Sequence, residues 1–294
     1  MSLKRKGIIL AGGNGTRLYP LTLATSKQLM PVYDKPMIFY PLTTLMLADI
    51  KEILIITSPE HLDSFKNLLG NGDNLGLNLS YKLQSNPGGI AQAFLIAEEF
   101  LHQSNCALIL GDNLFHGLGL SSILQKASTQ KEGATIFASQ VKNPKRYGVI
   151  EFTKEKRVKS IEEKPQNPKS QFAVTGIYFF DENVVNYAKE LKPSNRGELE
   201  ITCLNDIYLK KNLLKVEILG RGISWFDTGT FESLHEASSY IKALQTRQGL
   251  RIGSPEEISW RKGWIDSMQL KNLASPLLKS GYGEYLISLL NEEF

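Results

Sequence analysis

The sequence predicts an α/β protein: a mostly parallel or mixed sheet with helices on both faces, followed by a small helical subdomain at the C-terminal end. Three observations lead there. The apolar run Ile8-Ile9-Leu10 empties directly into a glycine-rich turn, as a buried parallel strand does. Strand-like and helix-like segments then alternate as far as Asn113. From Gly253 onward the apolar spacing is helical alone. With 294 residues, 42% hydrophobic and 22% charged, the chain is long enough to bury roughly three quarters of its unfolded surface.

Taken in order, Pro36 to Ala48 carries helical spacing, Glu52 to Thr57 reads as a buried strand, and Ser58-Pro59 starts a helix through Leu69. Leu77 to Gln84 reads as a strand, Gly89 to Leu101 as a helix, and Cys106 to Leu110 as a strand ending in Gly111-Asp112-Asn113. From Ala134 the pattern turns to hairpins. Thr135 to Gln140, Gly148 to Phe152, Val158 to Glu162 and Phe172 to Phe180 are strand-like, with short polar turns between them. Helices are expected from Asp181 to Leu191, from Glu198 to Lys211 and from Phe231 to Thr246, with a strand at Leu214 to Leu219. Three short helical segments close the chain, where Trp260, Trp264, Leu286 and Leu289 need burial.

Composition excludes several classes. A net charge of +4 without a long Lys/Arg run argues for a local anion site and against a nucleic-acid groove. No window approaches the roughly 18 apolar residues of a membrane span, and the run after Lys4-Arg5-Lys6 is broken by glycines and Arg17 before signal-peptide length. Cys106 and Cys203 are too few and too far apart for a disulfide framework or a metal cluster, which makes a reducing cytoplasm the expected location.

The glycine loop is the first chemical signal. Gly12, Gly13 and Gly15 let the chain adopt positive φ and turn its N–H groups toward an anion, while Arg17 and Lys27 add positive charge. It is not a Walker loop, because Thr16-Arg17 follows the last glycine. It is not a dinucleotide fingerprint either, because position 18 is Leu. The whole pattern G-G-x-G-T-R-L-x-P-L-T, followed by S-K-x-L-x-P at residues 26 to 31, resembles the sugar-phosphate nucleotidyltransferases, which join a sugar 1-phosphate to a nucleoside triphosphate. The resemblance covers the chain from Gly7 to about Tyr285, with further signatures in K-P-M-I-F-Y-P-L, G-D-N-L-F, R-Y-G-V-I-E-F, E-E-K-P, A-V-T-G-I-Y, R-G-E-L-E-I-T and W-F-D-T-G-T. Gly88, Cys203, Asp206 and Phe226 depart from the family pattern, Gly88 standing where an acid is expected.

The resemblance implies a Rossmann-like fold of the nucleotide-diphospho-sugar transferase type. It divides the chain into an α/β domain over residues 1-247, whose nucleotide-binding portion covers 1-133 and whose sugar-binding portion covers 134-247, and a helical tail over 248-294. The substrates it implies are dTTP and glucose 1-phosphate, joined with Mg²⁺ to give dTDP-glucose for a deoxysugar route such as that to dTDP-rhamnose. Arg17, Lys27 and Lys164 take the catalytic roles, the first two on the triphosphate and Lys164 on the attacking phosphate. Leu10, Gly12, Gly13, Gly15, Thr16, Gln28, Gln84, Gly89 and Asp112 fall at nucleotide positions. Asn113, Tyr147, Gly148, Glu163, Val174, Tyr178 and Trp225 fall at sugar positions, and Asp112 and Asp227 hold the metal. The family further implies a homotetramer and feedback by a downstream dTDP-sugar near the C-terminal helices.

The residues by themselves leave alternatives open. Asp112 and Asp227 read equally as turn-forming aspartates, Glu162-Glu163-Lys164-Pro165 as a charged hairpin, Gln84 as a surface glutamine, and the tail as an appendage packing on its own chain. The Gln84 carboxamide offers a donor and an acceptor that match the O4 and N3–H edge of thymine, but match uracil equally. UTP is therefore the same-class alternative. A catalytically silent sensor is the different-class one.

Overall fold

The computed structural model describes residues 4–13 and 15–291. In chain order, β1 (Lys6–Ala11) is followed by the hairpin of β2 (Pro31–Val32) and β3 (Lys35–Pro36), then by α1 (Phe39–Leu47), β4 (Glu52–Thr57), α2 (Leu62–Leu69) and β5 (Asn78–Leu83). Two short helices, α3 (Gln92–Ile96) and α4 (Glu98–Leu101), precede β6 (Cys106–Leu110), β7 (Asn113–Gly117) and α5 (Leu120–Ser128). Next come β8 (Ala134–Gln140), β9 (Gly148–Phe152), β10 (Val158–Glu163), β11 (Phe172–Phe180), α6 (Val184–Lys189) and α7 (Ile201–Lys210). β12 (Leu214–Ile218), β13 (Ile223–Asp227) and α8 (Phe231–Gln248) lead to α9 (Pro255–Arg261), α10 (Ser267–Ala274) and α11 (Tyr282–Leu289).

Strands β5, β4, β1 and β6 lie side by side and parallel. Their residues read as continuous apolar runs because both faces are covered. Ile8, Leu54 and Leu108 face one core with Phe94, Val184 and Leu204, whereas Ile9, Ile53 and Ile109 face the other with Leu45, Phe65 and Leu124. The expected helices on both faces are therefore present.

Beyond β6 the sheet becomes antiparallel and divides. The free edge of β6 takes only Ile177 to Phe180 of the nine-residue β11. The first half of β11 takes β9 instead, through Ala173 and Val149, and β10 completes that hairpin. The opposite edge of β11 pairs with β8, where the register shifts between Val174 and Tyr178, and β12 runs parallel to β8 beyond it. The sheet thus forks along β11, and Val174-Thr175-Gly176 stands in the crotch. A separate two-stranded ribbon, β7 with β13, sets Asn113 opposite Asp227.

Most expected elements lie within a few residues of their predicted ends. The helix expected from Pro36 begins at Phe39, because Lys35-Pro36 is paired in β3. The one expected over Gly89 to Leu101 is interrupted at Ala97. β7 and α5 occupy a stretch for which no element was expected. The tail packs around Ile265, Leu270, Ala274, Leu286 and Leu289, with Trp260 and Trp264 half-buried. Lys35 joins it to the β2–β3 hairpin, its buried ammonium donating to the Ile252 carbonyl at 2.9 Å. Among the described residues no helix is long and apolar enough to cross a membrane.

Candidate active site

At the end of β1 the chain turns through Gly13 at φ 100° and Gly15 at φ 58°, both in the left-handed region that favours glycine. The Thr22 hydroxyl donates to the Gly15 carbonyl at 2.9 Å and fixes the turn. Leu18, fully buried, anchors the short turn that presents the exposed Arg17. Gly12, Gly13, Gly15, Thr16, Arg17, Lys27, Gln28 and Asp112 line a cavity of about 260 Å³. Leu10, Gln84 and Gly89 are not in its wall; the Leu10 side chain packs against the α3 side of the core. Gln84 is buried against Gly12, where an added Cβ would meet its Oε1 at 2.3 Å. Gly89, at φ 99°, lies so close to the Leu199 backbone that a Cβ there would sit 2.5 Å from its carbonyl oxygen.

The two aspartates, distant in sequence, are brought together at one cavity. Asp112 follows β6, and its carbonyl accepts from the Thr228 hydroxyl at 2.7 Å and the Thr228 N–H at 3.1 Å, which pins the residue after Asp227 to it. The Lys27 ammonium contacts the Asp112 carboxylate, and Asn113 Nδ2 donates to it at 2.9 Å. Burial works to raise the Asp112 carboxyl, but the Lys27 charge and the hydrogen bonds from Lys27 and Asn113 outweigh it and hold it below its ordinary value. Asp227 goes the other way. Burial and then the Asp112 charge push it up, against the weaker pull of Lys27, Arg146 and Arg17. Arg146 approaches Asp227 at 3.6 Å.

Two carboxylates whose charges oppose each other are a donor set that fits a hard divalent cation. Among the described residues no group of three or more His, Cys, Asp or Glu is placed to hold a metal. Mg²⁺ suits the pair, since it takes one or two carboxylates and completes its shell with water and phosphate oxygens.

The crotch of the fork opens a second cavity, of about 470 Å³. Gly148 begins β9, Glu163 ends β10 and is followed by Lys164, and Val174 and Tyr178 come from β11; all line it, together with Asn113, Tyr147, Trp225 and Asp227. Tyr147 and Trp225 pack with ring centroids 5.1 Å apart, and Trp225 Nε1 donates to Asn113 Oδ1 at 2.6 Å. Lys164 and Arg196 each approach Glu163 Oε1 at 3.6 Å, while the Thr202 hydroxyl donates to Glu163 Oε2. Arg17 and Asp112 border both cavities. An anion in one therefore meets an anion in the other across two residues, one positive and one negative.

Arg146, Arg196, Thr202 and Gln92 were not picked out from the sequence. The first three lie inside R-Y-G-V-I-E-F and R-G-E-L-E-I-T, so the motifs contained them although the residue choice did not. Gln92 gave no signal beyond its place in the Q-S-N-P-G-G-I-A-Q-A-F segment.

A family model for nucleotidyl transferases matches residues 6–243. A glucose-1-phosphate thymidylyltransferase of Neisseria meningitidis serogroup A is 57% identical over 98% of this chain and 100% of its own length. One from Mycolicibacterium smegmatis is 53% identical over 98% and 100%. Among solved structures, a Bacillus anthracis protein assigned as a glucose-1-phosphate thymidylyltransferase, crystallised with sucrose, is 44% identical with a TM-score of 0.75, covering 80% of this chain and 94% of that one. A UDP-glucose pyrophosphorylase complexed with UDP-glucose has a TM-score of 0.71 at 26% identity, covering 82% and 100%. With the glycine loop, the forked sheet and near-full-length identity above one half all pointing the same way, the chain belongs to the nucleotidyl transferase family, among its glucose-1-phosphate thymidylyltransferases.

Proposed function

We propose that the protein transfers the thymidylyl group of dTTP to glucose 1-phosphate, forming dTDP-glucose and releasing pyrophosphate. The observation that carries this reading is the meeting of the two cavities at Arg17 and Asp112. An oxygen of the sugar phosphate attacks the α-phosphorus in line, and the bond from that phosphorus to the oxygen bridging it to the β-phosphorus breaks. A phosphate monoester is already mostly dianionic near neutral pH, its second pKa being about 6, so no general base is needed.

The protein's task is to align two anions that repel each other and to absorb charge at the reacting phosphorus. Lys27 and the glycine-loop N–H groups hold the triphosphate. Lys164, at the mouth of the sugar cavity beside Glu163, holds the attacking phosphate while Glu163 takes sugar hydroxyls. Arg17 stabilises the charge that develops where the two substrates meet. Asp112 and Asp227 would hold Mg²⁺, whose chemistry here is neutralisation of phosphate charge. Gln84 and the Gly89 backbone read the base.

UTP is the second reading, favoured by the likeness to a UDP-glucose pyrophosphorylase and by a Gln84 edge that uracil also satisfies. The division at residue 247, with nucleotide and sugar portions meeting at 133, a homotetrameric assembly, a cytoplasmic location and service to a deoxysugar route such as that to dTDP-rhamnose belong to the same proposal. So does feedback by a dTDP-sugar. Its support is a cavity of about 470 Å³ between α1, the β7–α5 turn and α9, bordered by His116, Arg251, Glu257 and Lys262, and the Lys35 link between the tail and the β2–β3 hairpin.

The test is pyrophosphate release with glucose 1-phosphate and Mg²⁺, offering dTTP, UTP, dUTP, CTP, ATP and GTP in parallel, with chelated controls. Preference for dTTP, lost on chelation and restored by Mg²⁺, is expected. Preference for UTP overturns the specificity, and silence with every nucleotide overturns the activity.

A further inference from the structure

A carboxamide that reads a base has two orientations, and they read different bases. With one edge toward the ligand, Gln84 offers Oε1 as acceptor beside an Nε2 proton as donor; rotated by half a turn, it offers the two in exchanged places. Thymine presents N3–H and O4, whereas cytosine presents a bare N3 and an amino group. A glutamine free to turn accommodates either, so selectivity needs something that holds it.

The surroundings of Gln84 supply that hold. The backbone N–H of Gly88 donates to Gln92 Oε1 at 2.8 Å. A backbone amide has only a proton to give, so Gln92 must turn its oxygen, not its NH₂, toward Gly88. The same oxygen accepts from Gln84 Nε2 at 2.7 Å. Turning Gln84 over would bring two amide oxygens together with no proton between them. Gln84 is only 5% exposed, which leaves little room for water to mediate. Its Oε1 is then left over Gly12, at the glycine loop, with the second Nε2 proton still to donate.

We propose that Gln92 is a positioning residue for base selection: by accepting from both Gly88 N–H and Gln84 Nε2, it locks Gln84 in the orientation that matches N3–H and O4 and rejects cytosine. The inference rests on the reading of Gln84 as the base reader. Gln92 itself lines neither cavity. It transmits to Gln84 the one-way donor character of a backbone amide.

The test is the ratio of kcat/KM for dTTP to that for dCTP, with glucose 1-phosphate and Mg²⁺, in the full chain and in three variants. Gln92→Glu keeps an acceptor for both donors and should keep the ratio. Gln92→Leu removes the acceptor and should lower the ratio by about tenfold or more. Gln92→Met, equally long and without the acceptor, should do the same and stands in if the leucine variant does not fold. Gln84→Leu is the reference. If it lowers the ratio while both Gln92→Leu and Gln92→Met leave it intact, the role of Gln92 is overturned and the reading of Gln84 stands. If Gln84→Leu leaves the ratio intact, both fall. Loss of selectivity in Gln92→Glu equal to that in the apolar variants overturns the acceptor account.

Discussion

Gly176 offers a sharp test of how the reacting centre is held. It stands in the crotch of the fork, and a Cβ built on it would lie 2.4 Å from Asn113 Oδ1, 2.5 Å from Cγ and 2.9 Å from Nδ2. Asn113 is 2% exposed and is held between the Trp225 indole and the Asp112 carboxylate. Gly176→Ala must therefore displace the Asn113 carboxamide, breaking its hydrogen bonds from Trp225 and to Asp112. A neutral hydrogen bond contributes about 0.5–1.5 kcal/mol and one to a charged group about 1.5–3, so a loss of about 3 kcal/mol is expected. That corresponds to a Tm lower by roughly 6–12 °C, taking 2–4 °C per kcal/mol for a chain of this size. Catalysis should fall too, because Asp112 loses a donor. The assay is a double-mutant cycle with Asn113→Ala, read by thermal unfolding and by kcat/KM. With the Asn113 side chain gone, Gly176→Ala has nothing to displace and should cost little. If it costs the same in both backgrounds, the effects are additive and displacement of Asn113 is not the mechanism.

Arg17→Ala should lower kcat/KM by roughly 100-fold, about 3 kcal/mol, by analogy with losing one preorganised donor, and should barely change Tm because the side chain is exposed; near-normal turnover refutes its role. Asp227→Asn should raise the Mg²⁺ concentration needed for half-maximal activity, and an unchanged Mg²⁺ titration refutes the two-carboxylate assignment. Gly148→Ala places a methyl 3.1 Å from the Thr202 hydroxyl oxygen and 3.5 Å from Glu163 Oε2. It should raise KM for glucose 1-phosphate about tenfold and leave KM for dTTP unchanged, which initial-rate kinetics with each substrate varied will show. In the tail, burial raises the Glu256 carboxyl, only partly offset by the hydrogen bond from Tyr282. Its folded pKa lies above its unfolded one, so its stabilising contribution is complete below the unfolded pKa and is lost as pH rises through the folded value. The Tm difference between Glu256→Gln and the parent should therefore become more positive from pH 4 to pH 7; a constant difference refutes the burial account.

The strands Glu52–Thr57, Cys106–Leu110, Gly148–Phe152 and Phe172–Phe180 were legible because each is rich in apolar and β-branched residues and lies between turn signals. The fork was not. Nothing local to Phe172–Phe180 states that its two halves take different neighbours, since pairing with residues 109, 138 and 149 is settled by the whole sheet. β7, only Asn-Leu-Phe-His-Gly, begins with Asn and ends with Gly, so it reads as a turn until β13 pairs with it. The α5 helix was there to be seen in the spacing of Leu120, Ile123, Leu124 and Ala127. At the site, glycines and short motifs made the glycine loop and both aspartates legible. Arg196 looks like solvated surface in sequence, and Gln92 acquires meaning only through a neighbour eight positions away across a turn.

The divided β11 also constrains the order in which a growing chain finds its shape. β6 is made early and can pair at once with β1, but the strand that covers its other edge begins at residue 172. Until that segment leaves the ribosome, the edge of β6 is an open row of backbone donors and acceptors, the kind of surface that recruits strands from other chains. β8 and β9 wait for the same strand. A fragment ending before Phe172 is therefore expected to aggregate even though its parallel half is complete, whereas one extended through Phe180 closes all three edges in a single step.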